Sequence, residues 1–468
     1  MMTTQFAIRA VNVDLPMLGT QRLSFSNPTE LASHSTILVG RNGTGKSTIL
    51  RDLVMALRAY FATNALQSRQ GLGRISSIEI DSEGRHVELN FGADVKQFKD
   101  ERDSLRGEGW APSKVIALSF TPFDKFPPID DTLPRPGSRP ETARTIVDPF
   151  YVYLGFKNDF RSSPRARLLR TIDQLAFAES TVQSDERVVD AFDAIGYSPV
   201  IELEYEFTPG WRSGRYQSDF DEQRLKELES MLEGHVRSDG KRRRRMTYYI
   251  DFRFGRRDAS IPIDFEEIRR LTDARVLRLG SVKLRTADDK EVELLELSSG
   301  ELNLFSGFLG LAAFLEDGCL VLIDEPENSL HPDWQMRYTE MLEAVFSRHR
   351  GCHYIIATHS PLVVSGVAGP HAKILRLDQE PIELPSRAVA NASPDATLLS
   401  AFTVVTSGNN FLKQIVLETI TLIDTGKHRS ARARELALAL ASIYDKIPED
   451  DPIRDLVAGV VQTILQPS

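Results

Sequence analysis

The residues that most restrict how this chain can fold are Gly40-Arg41-Asn42-Gly43-Thr44-Gly45-Lys46-Ser47. They fit G-x-x-x-x-G-K-[ST] without exception. An apolar run, Ile37-Leu38-Val39, precedes them, and apolar residues at helical spacing follow: Ile49, Leu50, Leu53, Val54 and Leu57. Strand, glycine turn and helix start in that order bring backbone N–H groups onto one point, and the helix N-terminus adds partial positive charge. Such a loop suits phosphate. Gly40, Asn42, Gly43, Gly45, Lys46, Ser47 and Thr48 are therefore the candidate nucleotide contacts. Lys46 would reach the β- and γ-phosphates of ATP, and Ser47 would hold Mg²⁺.

A second run, Cys319-Leu320-Val321-Leu322-Ile323-Asp324-Glu325, reads as a buried strand ending in two carboxylates. Successive strand residues point opposite ways, so the two acids can take different tasks. Asp324 is the candidate metal residue beside Ser47, and Glu325 the candidate general base for water. Upstream lies Leu297-Ser298-Ser299-Gly300-Glu301, just before the helical run LNLFSGFLGLAAFL. Ser298 followed three residues later by Glu301 makes a capping box. The same helix start also offers Ser298, Ser299, Gly300 and Glu301 as contacts for a phosphate held by another chain. Both readings can hold together.

Around these pieces the chain reads as α/β. Residues 75–91 alternate as a hairpin with Ser82-Glu83-Gly84 near the turn, and 114–120 form a further strand. The segment TPFDKFPPID stops regular structure, and a loop rich in Pro, Arg and Ser follows at about 131–145. In the middle, 201–207 and 247–254 alternate as half-exposed strands, and 221–236 suit one amphipathic helix too short for long coiled-coil arms. After Ser298 come a helix, a strand at 319–323, a helix at 332–349, a strand at 353–357 and a short strand near 373–377. Strands alternating with helices predict a parallel sheet. The tail from about 393 reads as helical throughout.

Composition narrows the partners. At 468 residues with a net charge of −9, the chain has no generally basic surface. Its cations cluster at Lys241-Arg242-Arg243-Arg244-Arg245 with Arg256 and Arg257, and at Arg161, Arg165, Arg167 and Arg170. These clusters, 241–257 and 161–170, are candidate contacts for DNA, tRNA or other RNA, or else solvated faces. No run of 18 apolar residues is present and the N-terminus lacks a secretory pattern, so no membrane association is expected. The two cysteines, Cys319 and Cys352, sit in apolar strands and read as reduced residues of a cytoplasmic protein.

The ordered set GRNGTGKS, LSSGE, LVLIDEPENSLHP and IIATHSP resembles ABC-class ATPases of the RecF, SMC and OLD group. The resemblance covers the first ~120 residues and about 290–380. It implies an ABC-type P-loop ATPase head with an inserted α+β region and a helical C-terminal tail. The divisions would be 1–130 for the lobe with the phosphate loop, 131–285 for the insert, 286–390 for the lobe with the remaining motifs, and 391–468 for the tail. It also implies that Glu327, Asn328, Ser329 and Leu330 form the D-loop that crosses a dimer interface, and that His359 is the switch histidine at the γ-phosphate. A head-to-tail homodimer follows, with Lys46, Ser47, Asp324, Glu325 and His359 of one copy around ATP and Ser298 of the other closing the site. Higher-order oligomers would be built from that pair.

Two departures stand out. Glu301 occupies a position where transporters usually have glutamine, and no Q-loop glutamine follows 114–120; Ser119, Thr121 and Asp124 are positional candidates. The compact insert, the helical tail and the lack of a coiled coil resemble stand-alone ATPases of bacterial antiphage systems of the Septu, retron-linked and PARIS types. There a separately encoded nuclease does the damage, and this chain shows neither a Toprim-like acid pair after His359 nor an HNH pattern. The rival resemblances are a RecF-like DNA-repair clamp and a transporter nucleotide domain, the second opposed by the basic clusters and the large insert.

Overall fold

A computed structural model describes residues 5–465 apart from 26–32, 62–72, 83, 92–103, 106–109, 122, 128–149, 156–185, 209–226, 228–229, 231–235, 239–243, 255, 258–264, 274–275, 347–348, 368–371, 378–380, 385–391 and 407. At its centre a seven-stranded sheet runs, in spatial order, through Ile382–Leu384 (β17), Ala372–Leu377 (β16), His34–Gly40 (β3), His353–Ala357 (β15), Leu320–Asp324 (β14), Val115–Ser119 (β6) and Tyr151–Leu154 (β7). Every pairing is parallel except β16 with β17. Sheets of this kind are covered on both faces, so their strands read as unbroken apolar runs. VIALS in β6, LVLID in β14 and HYIIA in β15 are buried at every residue. Lys46–Phe61 (α1) covers one face, and Ser299–Phe314 (α4) with Pro332–Phe346 (α5) cover the other.

Register decides what this sheet presents. Asp324 pairs with Ala357 on one side and Ser119 on the other, and Ala357 pairs with Leu38. The ends of β6, β14, β15 and β3 therefore lie along one edge, where ligands of open parallel sheets are held.

A second, antiparallel sheet packs over α1 in the order β2-β1-β4-β5, formed by Gly19–Ser24, Phe6–Leu15, Ile75–Ser82 and Arg85–Asn90 respectively. The expected hairpin at 75–91 is present, with Ser82 paired to Arg85 across the turn. One imidazole ties this sheet to the central one. The Ile8 N–H donates to His353 Nδ1 at 3.1 Å, and Thr36 Oγ1 lies 2.9 Å from His353 Nε2. Thr36 gives its own proton to the Phe25 carbonyl, so its oxygen accepts from His353 Nε2–H. His353 is 0% exposed, and burial pushes its pKa down to about 3.

Between β7 and α4 the chain forms a six-stranded antiparallel sheet in the order β11-β10-β8-β12-β13, with β9 added on β10. Its members are Tyr197–Phe207 (β8), Val236–Ser238 (β9), Arg244–Asp251 (β10), Arg256–Arg257 (β11), Leu277–Thr286 (β12) and Glu291–Glu293 (β13). β8 alternates buried and half-exposed residues from Tyr197 to Tyr205, as a strand with one face on a core must. That face and Glu186–Ala194 (α2) meet α4 through Phe192, Tyr197 and Phe305. A short helix, Phe265–Asp273 (α3), packs on β12.

Beyond β17 the described chain is helical, as the tail's pattern predicts: Pro394–Phe402 (α7), Asn410–Asp424 (α8), Ala431–Ile443 (α9) and Ile453–Leu465 (α10). Ser393, Asn409 and Ser430 cap the first three. Their inner faces make a separate core around Leu412, Val416, Leu440 and Val457. Pro361–Ser365 (α6) and Arg376, which donates to the Ser400 carbonyl at 2.9 Å, join this bundle to the central sheet. Among the described residues, no helix is long and apolar enough to cross a membrane.

Candidate nucleotide site

The glycine loop leaves the end of β3 and enters α1 at Lys46. Gly45 takes φ +102°, and a Cβ there would meet Leu15 Cδ2 of β1 at 2.8 Å, so only glycine fits both the turn and its neighbour. Lys46 is 4% exposed. Its Nζ donates to the Gly40 carbonyl at 2.9 Å and the Arg41 carbonyl at 3.3 Å, and lies 3.3 Å from His359 Nδ1. Burial pulls its pKa down to about 8, against the pull of Asp324, Glu325 and Glu327. Asn42 and Gly43 are exposed at the loop tip, and Thr44 folds its hydroxyl onto the Arg41 carbonyl.

Register places the acids beside this loop. The Ser47 hydroxyl donates to Asp324 Oδ1 at 3.0 Å. Asp324 is 2% exposed, and burial, reinforced by Glu325, raises its carboxyl to about 7. A buried carboxylate beside a serine hydroxyl fits a divalent cation such as Mg²⁺. Among the described residues no group of three or more His, Cys, Asp or Glu is placed to hold a metal.

Glu325 sits at φ 50°, a conformation that costs a non-glycine residue energy and clusters at functional sites. Its N–H donates to the Ala357 carbonyl at 2.9 Å, its Oε2 accepts from Asn328 Nδ2 at 2.9 Å, and its Oε1 lies 3.9 Å from His359 Nε2. Glu327 binds the next turn: its carboxylate accepts from Thr358 Oγ1 at 2.8 Å and from the His359 N–H at 2.6 Å. Burial raises Glu327 and lowers His359. The turn after β14 and the turn after β15 are thus one bonded unit. Lys46 with His359, His359 with Glu325, and Ser47 with Asp324 form a group of contacts at one edge of the central sheet.

Ser298, Ser299, Gly300 and Glu301 are not part of that group of contacts. Among the described residues, no hydrogen bond from Ser298 or Glu301 reaches the glycine loop of the same chain. The capping box is fully formed: Glu301 N–H donates to Ser298 Oγ at 3.2 Å, and Ser298 N–H donates to Glu301 Oε2 at 2.9 Å. Gly300 lies directly under Ser329, whose φ is 66°; a Cβ on Gly300 would stand 2.4 Å from the Ser329 carbonyl oxygen. Because that neighbour is backbone, Gly300→Ala is expected to lower unfolding free energy by about 1–3 kcal/mol. Ser299→Ala, at an exposed position, should stay within about 0.5 kcal/mol of the parent in the same urea titrations. Equal losses from both changes would refute this packing account.

The three Q-loop candidates are occupied locally. Asp124 accepts from Tyr153 Oη at 2.5 Å and Phe126 N–H at 2.9 Å, Ser119 Oγ from Thr121 N–H at 3.3 Å, and Thr121 Oγ1 from Phe123 N–H at 3.3 Å. The neighbour that does reach α1 is Lys125, whose Nζ donates to Thr48 Oγ1 at 3.0 Å. The sequence gives no signal for it beyond its place after β6. In the basic segment 241–257, Arg245 is bound to Glu204 at 3.0 Å and Glu206 at 3.1 Å. Arg244, Arg256 and Arg257 fall on β10 and β11, while 161–170, 241–243 and most of 221–236 lie outside the described residues.

A parallel sheet with its phosphate loop after β3 and paired acids after β14, an antiparallel insert and a helical end define an α/β ATPase head of the ABC type. The chain belongs to the family described as "AAA domain, putative AbiEii toxin, Type IV TA system", whose model matches residues 35–365. Over 185 residues it is 27% identical to the "Retron Ec83 probable ATPase" of Escherichia coli, a stretch that takes in 37% of this chain and 33% of that protein. The chain therefore spans about a third of the length of that curated relative. Among solved structures it is similar to the SMC head domain from Thermotoga maritima (TM-score 0.32, 11% identity, 82% of this chain and 99% of that one). It is also similar to an Smc head domain bound to the C-terminal domain of ScpA derived from Pyrococcus furiosus (TM-score 0.32, 13% identity, 82% and 97%).

Proposed function

We propose that the chain binds and hydrolyses Mg-ATP as a head-to-tail pair, each nucleotide lying between the glycine loop of one copy and the Ser298 helix start of the other. The observation that carries this reading is the convergence of buried Lys46 and Asp324 with Ser47, Glu325 and His359 at one sheet edge. Lys46 would lie against the β- and γ-phosphates, and Ser47 and Asp324 would hold Mg²⁺, which stabilises the charge that develops on the phosphates. Glu325, oriented by Asn328, would take a proton from the attacking water as the bond to the ADP oxygen breaks. The pair supplies what one copy lacks, since Ser298 stands exposed and apart from its own loop. A two-fold arrangement makes both sites at once.

Within a cell, we assign the chain to a bacterial antiphage complex in which it senses or restrains a separately encoded nuclease. The family's description as a toxin of a toxin–antitoxin system and the similarity to a retron ATPase support this role. A RecF-like clamp on DNA is the second reading, and the acids beside Arg245 weaken it by neutralising one of the cations it needs. Sedimentation with Mg-ATP tests the shared site: the parent is expected to dimerise, whereas Lys46→Ala and Ser298→Ala remain monomeric. A parent that stays monomeric at saturating Mg-ATP would sink the reading. ATP-dependent DNA binding that weakens steeply with salt would favour the clamp over defence.

A further inference from the structure

We propose that Glu301 is an internal anion that holds the donors of Ser298 in reserve, and that Tyr197 of the inserted sheet is the positioning residue that keeps Glu301 there. This rests on the reading of Ser298 as a phosphate ligand for a second copy. Ser298 has two donors at the helix mouth, its O–H and its N–H. Both end on the same carboxylate oxygen, Glu301 Oε2, at 2.7 and 2.9 Å. A phosphate oxygen needs those protons, so it can only replace the carboxylate, not join it. Ser298 is exposed, so the exchange is open to a second copy.

The other carboxylate oxygen is held from outside the helix. Tyr197 Oη donates to Glu301 Oε1 at 3.3 Å across 104 residues of sequence. Tyr197 is the first residue of β8; its buried ring meets Phe305 of α4 edge-on at 6.0 Å. β8 is the strand on which both β10 and β12 pair, so these strands are joined to this phenol through β8. Glutamine would cap the helix as well as glutamate does. The acid adds charge: it strengthens its hold on Ser298 and repels an incoming triphosphate. Moving β8 off α4 would loosen Glu301 and release the serine, which makes the insert an input to closure.

The test is the ATP concentration at half-maximal dimerisation, read by light scattering with Mg²⁺ for the parent, Tyr197→Phe, Glu301→Gln, the double variant and Ser298→Ala. Glu301→Gln is expected to lower that midpoint roughly 5–10-fold and Tyr197→Phe roughly 2–4-fold, with melting temperatures kept close to the parent's. The double variant should fall no lower than Glu301→Gln alone, because both changes act on one carboxylate. A merely structural tyrosine would instead lower the melting temperature and raise the midpoint. If Ser298→Ala is monomeric but the other midpoints are unmoved or raised, the shared site stands and the clasp is overturned. If Ser298→Ala dimerises as the parent does, the shared site fails and takes the clasp with it.

Discussion

Glu325→Gln is expected to turn over ATP roughly 10²–10⁴-fold more slowly than the parent while still closing on it. The glutamine keeps the size of the side chain and the contact from Asn328, but it cannot accept the proton of the attacking water. The bond from Lys46 to the Gly40 carbonyl and the bond from Ser47 to Asp324 do not run through Glu325, so the change leaves both in place and removes only the charge that Glu325 exerts on Lys46 and Asp324. Single-turnover phosphate release beside sedimentation separates the two effects. A variant that hydrolyses within about threefold of the parent would assign the base elsewhere, with Glu327 the first acid to examine.

Acid should weaken the fold through His353, far from this chemistry. In the folded chain burial holds its pKa at about 3, against about 6.5 when exposed. Above about pH 6.5 both states are neutral and the buried imidazole makes its full contribution. As pH falls from 6.5 toward 3 only the unfolded chain takes up the proton, so stability drops across that window. The geometry agrees: a second ring proton would sit on Nδ1, facing the Ile8 N–H. Between about pH 7 and about pH 4 this one group should remove about 3 kcal/mol. Urea titrations of the parent and His353→Gln at both pH values check it. The glutamine variant should be less stable at neutral pH but lose less on acidification, and parallel losses would refute the assignment.

What could be read from the sequence was what is local. The glycine loop, the acid pair and the caps are each set within a few residues by backbone geometry, so Gly40–Ser47, Asp324-Glu325 and Ser298–Glu301 stand out before any fold is known. β14 and β15 were equally plain, since strands covered on both faces leave unbroken apolar runs. β1 was not. Arg9, Asn12 and Asp14 interrupt its apolar pattern, and its partner β4 lies some sixty residues on. Pairings across long separations were silent too: Ile8 with His353 and Tyr197 with Glu301 depend on the tertiary fold alone. The acids beside Arg245 in the positive run at 241–245 were hidden as well, because only the strand pairing of β10 with β8 brings Glu204 and Glu206 to it.

The contact between Gly300 and Ser329 has a mechanical consequence. Two surface segments that would face another molecule are pressed main chain to main chain inside one polypeptide, with no room for even a methyl group between them. A displacement of either segment is therefore handed to the other without slack, so the helix start and the turn after β14 travel as one rigid piece.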